Sequence, residues 1–321
     1  MHHYRVFGGV LSSEQEFPEL VAASESPAPE DDSSGGWQWE LTVQTGSPPA
    51  GGVLAGEEEL ATGIWARLYR TEEGLRLEFD DTGSFTIGSG GERITWHPRD
   101  GHDPELARVD IVSRVLAAAV HERGLICLHG SAVTLGGQGG WGGRAIAFLA
   151  PKGAGKSTLA ATFLTVSDAA LLTDDTLPVD PASGLAQPGV QSVRLVADAA
   201  DRFGGLGEAR TGLSDKRLFE RLPEAMLARN AVPIAAIYEL AARPASWGEG
   251  PVRRTTCAGA ESALVLMRHT KLGGLLGGTE ARRVFERSTA LAARVPVYRL
   301  DVRRDASALL DVAQTIRGWH A

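Results

Sequence analysis

The stretch Ala150-Pro151-Lys152-Gly153-Ala154-Gly155-Lys156-Ser157-Thr158 constrains the fold more than any other part of the chain. The apolar run Ala145-Ile146-Ala147-Phe148-Leu149 leads into it, and the helix formers of 158–164 lead out. Gly153 and Gly155 let the backbone curl so that successive N–H groups point inward and cradle phosphate oxygens. A helix starting there adds its positive end. A lysine at this place reaches the terminal phosphates, and the hydroxyl that follows it reaches Mg²⁺. The spacing therefore predicts a strand, phosphate-binding loop and helix that take ATP with Mg²⁺ through Gly153, Ala154, Gly155, Lys156, Ser157 and Thr158. Where the usual pattern opens with glycine, this chain has Ala150.

Asp174 and Asp175 lie 18 and 19 residues after Lys156. One helix and one short return strand fill that interval. A right-handed crossover brings the second strand out at the same sheet edge as the first. Both carboxylates are thus expected beside the loop, one with Ser157 on the metal and the other as the base that takes a proton from an attacking hydroxyl. Two adjacent aspartates also suit a turn or a helix cap. Transporter-type and ring-forming ATPases carry their metal-binding acid much further downstream, so the short interval points to a kinase rather than a motor.

The rest of the chain divides by pattern. Residues 1–102 read as a β-rich domain, with period-two alternation in Trp37-Gln38-Trp39-Glu40-Leu41-Thr42-Val43, in 64–70 and in Leu75-Arg76-Leu77-Glu78-Phe79. Half-buried antiparallel strands fit this pattern. Residues 24–36 read as a mobile polar loop. Asp103-Pro104-Glu105 starts a helix that runs to Gly124 and links the halves. Residues 103–321, including that helix, read as an α/β domain, with a hairpin tip at 136–143. Further strands are expected at 171–173, 234–240 and 297–302, and helices at 196–203, 260–272, 280–293 and 307–319.

Acidic residues outnumber basic ones, 40 to 32, leaving a net charge of −8. That argues against a general affinity for nucleic acid or acidic membrane. Cys127 and Cys257, the only cysteines, suggest neither a disulfide framework nor a zinc site. No apolar run approaches the roughly 18–20 residues that span a bilayer, and the N-terminus lacks a signal-like segment. A cytoplasmic protein is expected.

Leu128-His129-Gly130, then Gly153-Ala154-Gly155-Lys156-Ser157, then Leu172-Thr173-Asp174-Asp175 follow the order and approximate spacing of the HPr kinase/phosphorylase family. The chain resembles the HPr kinase-related proteins of peptide-maturation clusters, lasso-peptide clusters among them. Tyr4-Arg5-Val6-Phe7-Gly8 is similar to the start of their N-terminal region. The resemblance covers about residues 121–200. It implies a P-loop α/β fold like the C-terminal domain of HPr kinase, preceded here by a β-rich domain. It implies His129, Lys156 and Asp174 as catalytic residues, Asp174 being the base and Asp175 standing with Ser157 at the metal, with ATP and Mg²⁺ as cofactors. A protein or precursor-peptide serine is the implied acceptor, and homo-oligomers occur in the family. One departure is plain: the family's downstream glutamate, a metal ligand, has no counterpart in 187–195, where Gln191 or Arg194 stands nearby. That counts against the phosphorylase reaction and against HPr as acceptor.

Arg194 and Lys216, the latter in a polar loop, are weaker candidates for stabilising charge on a transferred phosphoryl group. His269 and the pair Arg282-Arg283 read as surface residues. The expectation is a serine kinase acting on a precursor peptide or other protein. A small-molecule hydroxyl kinase and a non-catalytic nucleotide-binding regulator stay open. The N-terminal domain is expected to dock the peptide along a sheet edge.

Overall fold

The computed structural model describes residues 1–23, 36–136, 143–166, 168–211, 216–243, 250–303 and 305–321. Most of the loop expected at 24–36, of the hairpin tip at 136–143 and of the loop before Lys216 lies outside them. The fold is mixed α/β, mostly strand, in several sheets. It groups into two compact units, residues 1–127 with 270–287, and residues 128–269 with 288–321. No helix among the described residues is long and apolar enough to cross a membrane.

The first unit carries a nine-stranded sheet among the described residues. Its strands are β1 (His2–Val6), β2 (Gly9–Ser13), β3 (Val21–Ala22), β4 (Trp37–Val43), β5 (Val53–Ala61), β6 (Ile64–Arg70), β7 (Gly74–Phe79), β8 (Gly83–Gly88) and β9 (Arg93–Pro98). They lie in the order β3-β1-β2-β4-β9-β8-β7-β6-β5. The pairs β2–β4 and β4–β9 are parallel, and the others are antiparallel. Period-two alternation puts Leu11, Trp39, Leu41, Leu68, Phe85, Ile87 and Trp96 inside. Phe7-Gly8, part of the segment that carries the N-terminal resemblance, is a tight hairpin turn, with φ of 51° and 82°. Positive φ at both central residues suits the right-handed twist of the strands it joins.

A helix follows in three parts: α1 (Pro104–Asp110), a π-helical turn at Ile111–Val115, and α2 (Leu116–Glu122). The Asp103 carboxylate accepts the Glu105 N–H and Pro104 opens the helix, as the sequence predicts. Segment 270–287 is tied into this unit by a buried charge network. The Arg70 guanidinium donates to both Glu122 oxygens and to Glu280, and His121 Nε2 meets Glu280 Oε2 at 2.9 Å. Arg287 donates to His121 Nδ1 and to the His121 carbonyl. Burial alone would raise the Glu280 carboxyl, but bonds from His121 and Arg70 outweigh it and hold it at about 2. Burial holds the His121 imidazole below its ordinary value; the hydrogen bond with Glu280 opposes this and the Arg287 charge adds to it. His121, Glu122 and Glu280 lie close enough to share a cation. Their acceptor atoms already serve arginines, so the cluster reads as a structural joint.

The second unit is built on β10 (Ile126–Leu135), β11 (Arg144–Leu149), α3 (Lys156–Val166), β12 (Ala170–Thr173), β13 (Thr176–Val179), β14 (Leu185–Ala186), β15 (Val193–Val196), α4 (Ala197–Ala200), β16 (Arg210–Thr211) and β17 (Lys216–Phe219). After these come β18 (Val232–Arg243), β19 (Val252–Thr256), α5 (Ala260–Arg268), α6 (Gly278–Ala292, which begins in the first unit), β20 (Val297–Arg303) and α7 (Leu309–Gly318). β10 lies antiparallel to both β11 and β12. β11 and β12 therefore run the same way and end at one edge, with β10 between them. On its other side β11 is parallel to β18, which is parallel to β20, and β19 closes the edge. β13 and β14 join β10 to β18 by a second path, and β15, β17 and β16 form a small separate sheet. Phe163 of α3 stacks on Phe148 of β11 at 5.7 Å, and Phe148 on Tyr238 of β18 at 6.0 Å. These fully buried rings fix the helix that leaves the loop against the sheet that enters it.

In the first unit, burial pushes the Asp110 carboxyl up to about 6, and Asp81 adds to this; the Thr82 hydroxyl and Arg114 oppose it. The folded state then binds the extra proton between pH about 4 and 6, so stability falls as pH rises through that window and levels off above it. Asp110→Asn keeps an acceptor for Thr82. We expect it to remove this slope and to raise stability at pH 7.5 by up to about 3 kcal/mol, measured by urea unfolding across pH.

Candidate functional site

The antiparallel placement of β10 brings the motifs together. Gly130 pairs with Leu149, the last residue of β11, and Ala132 pairs with Thr173, the last residue of β12. His129 and Ser131, on one face by period two, thus stand where both neighbouring strands end. A side chain at Gly130 would meet Leu149 Cδ2 at 2.6 Å and the Phe148 carbonyl at 2.9 Å, so only glycine lets the strands approach.

The turn after β11 carries Gly153 at φ 83° and Gly155 at φ 98°. Nothing lies within 4 Å of a Cβ built on either one. These positions need glycine for backbone conformation rather than for space. α3 then starts at Lys156, whose side chain is 7% exposed. Its ammonium donates to the Ala150 carbonyl at 2.7 Å and the Pro151 carbonyl at 3.3 Å, and stands 3.1 Å from His129 Nε2. Ala154, Ser157 and Thr158 line the same turn, half-buried.

Asp174 is the hub. Its Oδ1 accepts from the Ser157 hydroxyl at 2.9 Å and from the Ser131 hydroxyl at 2.5 Å. The backbone N–H of Arg194 also donates to this carboxylate. The residue is 4% exposed. Burial raises its proton affinity, and the Asp175 charge adds to this; the hydroxyl and N–H bonds pull the other way. Asp175 differs in every respect. Its side chain is 39% exposed, its φ is 78°, and its Oδ1 and carbonyl lie 3.2 and 3.1 Å from His129 Nδ1. A non-glycine residue in the left-handed region is uncommon, and such backbone strain gathers at functional sites.

The structure thus brings His129, Lys156, Ser157, Asp174 and Asp175 together, with the backbone of Arg194. Lys216 opens β17, opposite Val196, in the small sheet that also holds Arg194. Gln191 does not stand in for an acid. Its amide is buried and donates to the Leu171 and Ala228 carbonyls at 2.7 Å each. His269, expected at the surface, is 8% exposed, because it caps α5 and hydrogen-bonds Glu239 of β18 at 3.0 Å. Ser131, Glu239 and His269 are the members that sequence reasoning missed. Ser131 was reachable, since it lies two residues beyond His129 on a strand. Glu239 was signalled only by being the one acid in a long apolar strand.

No family model and no curated protein matches the chain.

Removing the Ser131 hydroxyl leaves a buried carboxylate with one donor fewer. Ser131→Ala is expected to lower stability by about 1–3 kcal/mol at neutral pH, read by denaturant unfolding. Because that hydroxyl bond favours the ionised carboxylate, the deficit should shrink as pH is lowered and Asp174 takes up a proton. A pH-independent deficit would mean that the hydroxyl acts by packing alone.

Proposed function

We propose that this chain is an ATP- and Mg²⁺-dependent kinase of the P-loop type, similar in its site to the HPr kinase-related proteins, that phosphorylates a serine hydroxyl of a protein or peptide. The observation that carries this reading is the Ser157 hydroxyl held 2.9 Å from the Asp174 carboxylate at the foot of a glycine turn that also carries Lys156. Strand, turn, lysine, hydroxyl and acid are the parts that phosphoryl transfer uses. Ser157 and Asp174 offer two oxygen donors, the chemistry a hard divalent cation takes. Mg²⁺ bound there would supply charge neutralisation at the phosphates. Lys156 would exchange its present carbonyl partners for phosphate oxygens.

These contacts lead us to exchange the roles expected of the two aspartates. Asp174 is enclosed and bonded to Ser157, which suits the metal side. Asp175 is partly open to solvent and lies next to His129, which suits the side that meets an incoming hydroxyl. In the proposed step the acceptor oxygen bonds to the γ-phosphorus as the bond to the β–γ bridging oxygen breaks. The hydroxyl proton passes to Asp175, and ADP leaves. His129, between Asp175 and Lys156, orients both. Arg194 and Lys216, which lie on paired strands of one small sheet, remain the candidates for stabilising the transferred charge. A precursor peptide of the lasso type, in the cytoplasm, is the preferred acceptor, on the strength of the resemblance.

The test is transfer from γ-phosphate-labelled ATP, with Mg²⁺, to a serine of the precursor peptide encoded nearest the gene. Wild type is expected to label it. Asp175→Asn should lose about 100-fold or more in kcat with ATP affinity little changed, whereas Asp174→Asn should lose its response to Mg²⁺. Full activity in Asp175→Asn would return the base to Asp174. ATP binding without label on any peptide would favour a metabolite acceptor or a regulator.

A further inference from the structure

We infer that Glu239 and His269 form a positioning pair that fixes the ring of His129 against Lys156. The geometric part stands apart from the kinase reading; its kinetic consequence rests on it. Glu239 sits on β18 directly opposite Leu149, the residue before the glycine turn, and opposite Arg299 on its other side. Its side chain is 14% exposed. Oε1 accepts from His269 Nε2 and from Arg268 at 3.0 Å each, and Arg299 approaches Oε2 at 4.0 Å. The carboxylate therefore anchors the last residues of α5 to the strand beside the loop.

The anchored end of α5 reaches His129 through its backbone. The His269 N–H closes the helix on the Val265 and Leu266 carbonyls, while its own carbonyl accepts the His129 N–H at 2.6 Å. The β10–β11 pairing begins only at Gly130. The peptide N–H that sets where His129 stands is thus held by α5 and not by the β10–β11 ladder. The ring is then bound at both nitrogens. Nδ1 faces two acceptors, the Asp175 carbonyl and carboxylate, so it carries the proton. Nε2 is left as the acceptor for the Lys156 ammonium at 3.1 Å. From Glu239 the chain runs through His269 and His129 to the lysine of the loop. Glu239 and His269 act on that lysine through the placement of His129, with His269 also within electrostatic reach of it, so they position rather than catalyse.

The experiment uses the full chain as wild type, Glu239→Ala and Glu239→Gln, with two readouts. The first is the imidazole nitrogen NMR spectrum of histidine-labelled protein without nucleotide. Wild type should show His129 as the single Nδ1–H tautomer, Glu239→Ala should show exchange between tautomers, and Glu239→Gln, which keeps an acceptor oxygen, should restore the single form. The second is steady-state transfer from Mg²⁺-ATP to the precursor peptide. Glu239→Ala should lose about tenfold in kcat with KM for ATP within about twofold, because the lysine is misplaced rather than lost. Glu239→Gln should recover most of that loss. An unchanged His129 tautomer in Glu239→Ala overturns the proposal, and so does a fall in kcat that only matches the fraction unfolded in a thermal melt. Inactive wild type would count against the kinase reading alone, since the NMR arm still decides the positioning claim.

Discussion

The buried carboxylate of Asp174 is the interaction on which the second unit turns. Four segments meet on it: Ser131 of β10, Ser157 at the start of α3, Arg194 of β15 through its N–H, and its own β12 end. A charge removed from water is tolerable only when donors replace the water, and here three do so. The consequence is positional. With the carboxylate fixed, the hydroxyl that follows the loop lysine has one place to be. The strand bearing His129 is held in register with both strands that end beside it.

The antiparallel strand between β11 and β12 explains how so few residues build the site. A purely parallel arrangement would deliver only strand ends to this edge. Running β10 the opposite way delivers a strand beginning there as well, and with it His129, Gly130 and Ser131. Gly130 is the cost of that closeness, since a Cβ would strike Leu149 and the Phe148 carbonyl. The strain at Asp175 belongs to the same design. Between β12 and β13 the chain kinks at one residue with φ 78°, and that kink goes with a second carboxylate partly open to solvent while the first stays buried.

Much of this was legible in the sequence. The glycine turn, its strand and its helix were read from local pattern, because positive-φ glycines and an apolar run act within a few residues. The two aspartates were placed by counting residues across one crossover, which required only that β11 and β12 run the same way. The different surroundings of Asp174 and Asp175 were not legible, since burial depends on Ser131 and Arg194, which are distant in sequence. β5 was missed because its run Glu57-Glu58-Glu59 hides any alternation, and an edge strand need not alternate. The π-helical turn inside the 104–122 helix left no local signal. Gln191 shows the converse: a polar side chain near the expected metal site is used to tie two carbonyls together.

Nucleotide binding at the glycine turn is the property on which the proposed site most directly depends. The measurement is isothermal titration of ATP into the full chain with and without Mg²⁺, beside Lys156→Ala. One site per chain is expected, with affinity falling about tenfold or more when Mg²⁺ is withheld and again when Lys156 is removed, a change of roughly 1.4 kcal/mol or more in each case. ATP binding of equal strength in Lys156→Ala, or no nucleotide bound by wild type, would contradict this expectation.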